Sequence, residues 1–503
     1  MQELEQKALA LKAAGRFEEA AAAFAKLARL QPKNHGPLYN IGNTYLAANR
    51  PAEAIEPFRR ATRLAPKFSH AHNNLGLALL ATGQFQLAAT SFARAAALDP
   101  GNPAPRHMMG NALLRAGDAA GALPHLRQAN QMAPDQPQIM TDLADALRRT
   151  GALREVPPLV MQAARLAPHR FEAWSNLANA LRDVCALEEA EAASRRALAL
   201  NPGNGETHYN LALTLLAAGK LAEAWPHWEY RWQGVVGVAP RFGTPPWDGT
   251  KLGDATLYLH AEQGLGDTIQ FCRYVPMAAA RARIVLAVQP PLIRLLGSLA
   301  GGAALVALDA PPPPFAAHAP LLSLPGAFGT SNETIPSATP YLAADPAKAQ
   351  AWASRLAGLP GLKVGLVWGG NPAFSFNRAR SIPATMLQPL ADVAGVSLVS
   401  LQVGERAPPQ LQLADWTADL HDFAETAALI AGLDLVIGVD TAVVHLAGAL
   451  GKPVWLLNRF ASDWRWGMSA ETTPWYPTLR IFRQSEPGDW TPVVASVVGA
   501  LRK

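Results

Sequence analysis

Cysteine is almost absent from this chain: Cys185 and Cys272 are the two among 503 residues. That excludes a disulfide framework and any cysteine-bound zinc site, and it points to a reducing compartment. An excess of one charge is also missing. The 44 Lys and Arg against 39 Asp and Glu leave a net +5. The basic residues are scattered rather than gathered with aromatics into a patch, so nucleic acid is not an expected partner. Long apolar runs are missing too. The longest uncharged one, residues 295–308, is broken by three glycines and is shorter than the roughly 20 residues that cross a bilayer. The opening residues carry Glu3 and Glu5 with no apolar stretch behind them, so no signal peptide and a cytoplasmic location are expected. No Asp-x-Asp pair and no metal-ligand spacing occurs, so no metal site is expected.

What the chain has instead is a period. Pro32, Pro66, Pro100, Pro134, Pro168 and Pro202 fall 34 residues apart. Gly42, Gly76, Gly110, Ala144, Ala178 and Ala212 keep that spacing, as do Phe24, Phe58, Phe92, Leu126, Val160 and Trp228, with Ser194 departing. Gly15, Gly83, Gly117, Gly151 and Gly219 form a third class in which Asn49 and Cys185 substitute. Small residues let two helices approach and bulky ones fill the groove between them. The turn glycines take the left-handed cap, and the prolines end the second helix of each pair. This pattern resembles the tetratricopeptide repeat and predicts an α solenoid over residues 1–235, whose concave face usually holds an extended peptide.

Asn40, Asn74, Asp142, Asn176 and Asn210 occupy one position of the repeat, interrupted by Met108. The run is similar to the asparagine ladder of the protein O-GlcNAc transferase repeats, which implies a grip on the backbone of an acceptor polypeptide. An amide offers both donor and acceptor and so pairs with a peptide unit of any sequence. The other reading is a packing preference between neighbouring helices. Trp225, Trp228 and Trp232 share one helical face and are expected as core aromatics closing the array. The Gly- and Pro-rich segment after them marks a boundary near residue 236.

From residue 255 strands and helices alternate with short links, which predicts parallel sheets in two Rossmann-like halves, residues 236–345 and 346–503. After a strand at 256–260, Gly264 and Gly266 permit a tight turn and Asp267 opens a helix to about residue 280, with Glu262 read as a solvated loop acid. A strand at 364–368 runs into Gly369 and Gly370, followed by Arg378 and Arg380, whose forked guanidinium suits a diphosphate. Glu405 follows a strand at 397–401. Residues 433–450 read LDLVIGVDTAVVHLAGAL: a buried strand, then Asp440 and Thr441, then a helix. Such a junction aims unpaired backbone N–H groups off the carboxyl edge of a sheet, where α/β folds bind phosphate. Alternatively, Asp440 merely caps the helix. His445 lies one turn after Thr441 on the same face. The loop with Arg459, Asp463, Trp464, Arg465 and Trp466 suits either lining a cleft or anchoring the C-terminal segment.

HAEQGLGDTIQFCRY and DTAVVH, in that order, resemble the heptosyltransferase-like glycosyltransferases of family 9, above all those with tetratricopeptide repeats in front. The resemblance implies a GT-B fold, a nucleotide-sugar donor with no further cofactor, and metal-independent, inverting transfer. Asp267 then matches the general base on the acceptor side. Gly266, Gly369, Gly370, Arg378, Arg380, Asp440, Thr441, Ala442 and His445 would hold the donor, with Glu405 on the ribose. The family motif is D-T-G-x-x-H, and Ala442 replaces its glycine. Acceptor chemistry stays open between polypeptide and glycan. The competing reading is a repeat scaffold with a degenerate transferase half.

Overall fold

The computed structural model describes residues 1–233, 240, 242–299, 301–371 and 377–503, and of Arg378 the backbone alone. They form two compact units, Met1–Ala180 and Leu181–Lys503.

The first unit is helical, and from Gln2–Ala13 to Val156–Leu166 each α-helix packs on the next. The period is visible in the backbone. Gly15, Gly83, Gly117 and Gly151 have φ of +75°, +76°, +85° and +87°, and Asn49, in the same register, is also left-handed at 57°. The small–bulky pairing is steric. A Cβ on Gly42 would lie 2.6 Å from the Phe58 ring, one on Gly76 2.7 Å from Phe92, and one on Gly110 2.4 Å from Leu126. Those partners are fully buried, so Gly→Ala there forces the helix pair apart.

The second unit begins with the last repeat helices, among them Leu187–Leu200, Gly205–Ala217 and Leu221–Trp228. It continues in two parallel sheets. The first has the order β3-β2-β1-β4, from β1 (Thr256–His260), β2 (Arg283–Val288), β3 (Ala304–Ala307) and β4 (Ala317–Pro320). The second has the order β6-β5-β7-β8-β9, from β5 (Leu362–Val367), β6 (Val396–Ser400), β7 (Leu435–Val439), β8 (Val454–Asn458) and β9 (Leu479–Arg483). An α solenoid followed by α/β is thus the fold. β7 is buried at all five positions, as a central parallel strand is.

Two expectations need correction. The helix expected from Asp267 to about residue 280 is broken into Leu265–Phe271, a 3-10 turn Cys272–Tyr274 and Val275–Ala279, because Pro276 removes a backbone donor and clashes one turn back. Glu262 is not solvated: it is buried and paired in two bonds, of 2.8 and 3.1 Å, with Arg231. Trp225 and Trp228 are core aromatics, as expected, and they also make hydrogen bonds. Trp225 Nε1 donates to Thr330 O at 2.7 Å and Trp228 Nε1 to Leu322 O at 3.0 Å, which ties the last repeat helix to the segment after β4. Trp464 sits edge-on to both at 6.2 Å.

Candidate functional site

Each sheet sends one loop–helix junction to a common place. Behind β1 the chain turns at Gln263, a non-glycine residue at φ 57°, and enters the helix Leu265–Phe271 through Gly264. Asp267 sits in the first turn, where a carboxylate suits the exposed N–H groups. Its Oδ2 accepts from Gly264 N at 3.0 Å and its Oδ1 from Arg465 Nη2 at 2.6 Å. Arg465 comes from the loop after β8. It also donates to Gln270 Oε1 at 2.5 Å and to Asp463 Oδ1 at 3.0 Å, and lies over the Trp464 ring at 4.5 Å. In that loop Trp464 packs on Trp475 of the C-terminal segment, while Arg465 reaches the acid and Asp463 holds Arg465.

Behind β7, Thr441 takes the N-cap position of the helix Ala442–Ala449, yet no side chain caps it. Asp440 does not act as the cap. The Thr441 hydroxyl is buried without a partner among the described residues. A helix start with unmet N–H groups beside an orphaned hydroxyl can receive an anion. The helix beginning at Leu265 closes on it from the other half: a Cβ on Gly266 would lie 2.9 Å from His445 Cδ2 and 3.4 Å from Ala442 Cα. Gly266 thus permits the two motifs to touch.

His445 is buried between Trp466, at 5.1 Å between ring centres, and Tyr476. Its Nδ1 is 2.9 Å from Tyr476 Oη, and its Nε2 is 3.8 Å from Asp440 Oδ1. Tyr341 spends its one proton on Ile269 O at 3.0 Å while accepting from Arg273 at 3.0 Å. Tyr476 Oη thus stands between His445 Nδ1 and Tyr341 Oη, at 2.9 and 3.5 Å.

Gly369 and Gly370 extend β5. Gln402 Oε1 accepts from Trp368 N at 3.1 Å and from Gly369 N at 2.8 Å, and Ser381 Oγ from Gly370 N at 3.4 Å. Arg380 packs on this turn, with Nη2 2.4 Å from where a Gly370 Cβ would sit. Glu405 is exposed beside Gly369. The Arg378 side chain and residues 372–376 lie outside the described residues. Sequence reasoning missed Gln402, Gln270 and Tyr476 as partners. An amide next to a Gly-Gly turn carries no signal of its own until the strands pair.

In the first unit the ladder position is tied between repeats. Asn74 Nδ2 donates to Asn43 Oδ1 at 2.7 Å, and Asn111 Nδ2 to Asp142 Oδ2 at 3.0 Å, with His107 Nε2 2.7 Å from the same carboxylate. Asn40 and Asn176 are half-buried. In the second unit Asn210 is buried.

Burial pushes the Asp267 carboxyl above its ordinary range; Arg465 and the Gly264 N–H pull it back, and Asp463 pushes further. Asp440 is raised to about 6 by burial and by Asp463, against Arg380, Arg465 and Arg459. His445 is driven well down by burial and by Arg465, Arg273 and Arg380, so its ring is neutral. The place holds two acids whose proton affinity burial raises, Asp440 to about 6, beside the guanidinium groups of Arg380 and Arg465.

Residues 418–497, which include β7, the Asp440–His445 motif and β8, match glycosyltransferase family 9 (heptosyltransferase). Tetratricopeptide repeat families match residues 6–67, 39–103, 113–156 and 194–225. The chain carries tetratricopeptide repeats before a glycosyltransferase family 9 segment. Residues 418–497 are thus glycosyltransferase-like. Protein FlbA of Caulobacter vibrioides is 33% identical over 328 residues, 57% of this chain and 53% of FlbA. The chain thus spans about half the length of the curated relative it matches. Among solved structures it is similar to YrrB, a TPR protein with an unusual peptide-binding site, at 19% identity and TM-score 0.34 over 37% of this chain and 96% of YrrB. PilF of Pseudomonas aeruginosa aligns at 17% identity and TM-score 0.35, over 41% of this chain and 94% of PilF. Among the described residues no helix is long and apolar enough to cross a membrane.

Proposed function

We propose that the chain transfers a sugar from a nucleotide-sugar to an acceptor hydroxyl, with inversion and without a metal. In this reading residues 1–235 form the array, 236–345 the acceptor half and 346–503 the donor half. The observation that carries it is the contact of Gly266 with Ala442 and His445, which sets the acid of one half against the uncapped helix of the other. The donor diphosphate lies on the N–H groups of that helix and the Thr441 hydroxyl, with Arg380 reaching it and Glu405 taking the ribose. Fixed dipoles and guanidinium groups there stabilise the charge that grows on the leaving phosphate.

Asp267 accepts the acceptor's hydroxyl proton as that oxygen attacks the anomeric carbon, and the bond to the diphosphate breaks with its electron pair. Two of the carboxylate's acceptor sites are used by Gly264 and Arg465, and a carboxylate offers about four. His445, neutral and buried, keeps the Asp440 turn in place. A polypeptide acceptor is favoured by the repeats.

Titration calorimetry with a panel of nucleoside diphosphates, alongside donor hydrolysis, tests this reading. One diphosphate is expected to bind far more tightly than its nucleoside, with the difference lost in the Arg378→Ala, Arg380→Ala double variant. Each charge-assisted bond contributes about 1.5–3 kcal/mol. Binding of no diphosphate would leave the scaffold reading in its place.

A further inference from the structure

The first sheet packs its helices on one face. Leu257 and Leu259 of β1 and Ile284, Leu286 and Val288 of β2 join the main core. The alternate residues Tyr258, Val285 and Ala287 form a separate cluster with Phe242, Val306 and Phe315. A parallel sheet is ordinarily covered on both faces by helices. Here, among the described residues, an aromatic cover takes the helix's place: Phe242 lies edge-on to Tyr258 at 5.5 Å and to Phe315 at 5.4 Å. At the carboxyl ends of β1 and β3 this cover leaves a cavity of ≈ 380 Å³, lined by Trp232, Phe242, Tyr258, His260, Gln263 and Leu308 among others.

Among the described residues its walls carry no unpaired charge. Glu262, the acid on the wall, is bound through both oxygens by Arg231. No Lys or Arg lines it among the described residues. Burial, helped by His318, pulls His260 down to about 4 and keeps it uncharged. The cavity also adjoins the proposed chemistry. Gln263 on its wall holds a left-handed backbone at φ 57°, and the next residue's N–H bonds Asp267 at 3.0 Å. A strained non-glycine residue at such a junction is retained where its surroundings demand it.

We infer that this cavity is an acceptor subsite that takes an aromatic or branched aliphatic side chain of a polypeptide, beside the hydroxyl residue presented to Asp267. The inference rests on the transferase reading above. A neutral glycan would need a row of hydrogen-bonding groups, where the walls offer aromatic rings, Leu308 and prolines. One large side chain fits the space and the chemistry.

The test uses the full chain and fluorescein-labelled nine-residue peptides with a central Ser in a Gly–Ala background. Each flanking position carries Phe, Leu, Asp or Lys in turn, and fluorescence polarisation is read with and without nucleoside diphosphate. Phe or Leu at one fixed offset is expected to bind about tenfold or more tightly than Asp or Lys. Ala310→Trp, which fills the cavity, and Leu308→Lys, which charges its exposed rim, are expected to abolish that preference while circular dichroism stays unchanged. Absence of an apolar preference at every offset, or competition by neutral or acidic oligosaccharides that both variants leave intact, overturns the inference. Diphosphate binding measured on the same samples separates the two ideas. Bound diphosphate without an apolar preference overturns the cavity alone. A variant-sensitive preference without any diphosphate binding overturns the transferase reading and supports the cavity as a side-chain site.

Discussion

Arg465 Nη2 lies 2.6 Å from Asp267 Oδ1 and joins the two α/β halves across 198 residues of sequence. Removing a carboxylate from water favours its neutral form, while a guanidinium at this distance favours the ion. The two effects oppose each other at Asp267, and burial wins, leaving its proton affinity above the ordinary range. That is the direction a general base needs at neutral pH.

Asp267→Asn separates binding from chemistry. The amide oxygen still accepts from Gly264 N, so the turn is kept, but no proton is taken. Transfer is expected to fall by about 10²–10⁴-fold with diphosphate affinity unchanged by calorimetry. Transfer near the parent rate would remove Asp267 from the reaction.

Arg465→Met acts through Asp267. Without the cation the Asp267 pKa rises further, so the ionised fraction at a given pH falls. The acid limb of the kcat/KM profile is then expected to move to higher pH, and Arg465→Lys to restore it in part. Breaking a buried ion pair by removing one partner also costs about 3–5 kcal/mol, which urea denaturation reads. A stability loss with an unmoved acid limb would make Arg465 purely structural.

Asp440 predicts a pH dependence of donor binding. Its carboxyl is raised to about 6, so it is largely neutral below that pH and anionic above it. An anionic Asp440 repels a diphosphate at the same helix start. Affinity should therefore weaken as pH rises through about 6, and binding should take up protons, because each ligand favours the other. Calorimetry in buffers of different ionisation enthalpy measures that uptake. Asp440→Asn should bind more tightly at pH 8 and lose the dependence; an unchanged slope would place Asp440 away from the ligand.

The array was legible because its determinants are local. A left-handed turn needs Gly or a tolerant residue, and Asn49 and Cys185, at 57° and 63°, mark the two turns where glycine is missing. A Gly opposite a Phe one helix later is likewise a rule within one repeat. The strand–Asp-Thr–helix junction was legible for the same reason, being one continuous segment. Arg465 with Asp267, and Arg231 with Glu262, were not. Each of those pairs joins segments that meet only after the sheets form, and nothing in the spacing of an Arg names the acid it will reach. Glu262 looked like a loop acid because loops are usually wet, and here Arg231, fully buried, holds it inside.

The ladder position gives the last prediction, because the structure divides its members. Asn74 both donates to Asn43 and accepts from Asn73 at 3.2 Å, and the Asp142 carboxylate is shared by His107 and Asn111. Those side chains bond neighbouring helices. The side chains of Asn40 and Asn176 make no hydrogen bond among the described residues, so their amides are the ones able to meet a peptide backbone. Asn74→Ala is therefore expected to lower the stability of the repeats, by about 0.5–1.5 kcal/mol for each neutral bond lost, without altering acceptor use. The Asn40→Ala, Asn176→Ala double variant is expected to raise KM for a polypeptide acceptor several-fold, by the same energy per bond. Its stability and donor hydrolysis should not change. Transfer assays beside thermal unfolding followed by circular dichroism separate these outcomes. If the double variant transfers normally while Asn74→Ala destabilises, the ladder holds helices together and the polypeptide is recognised elsewhere.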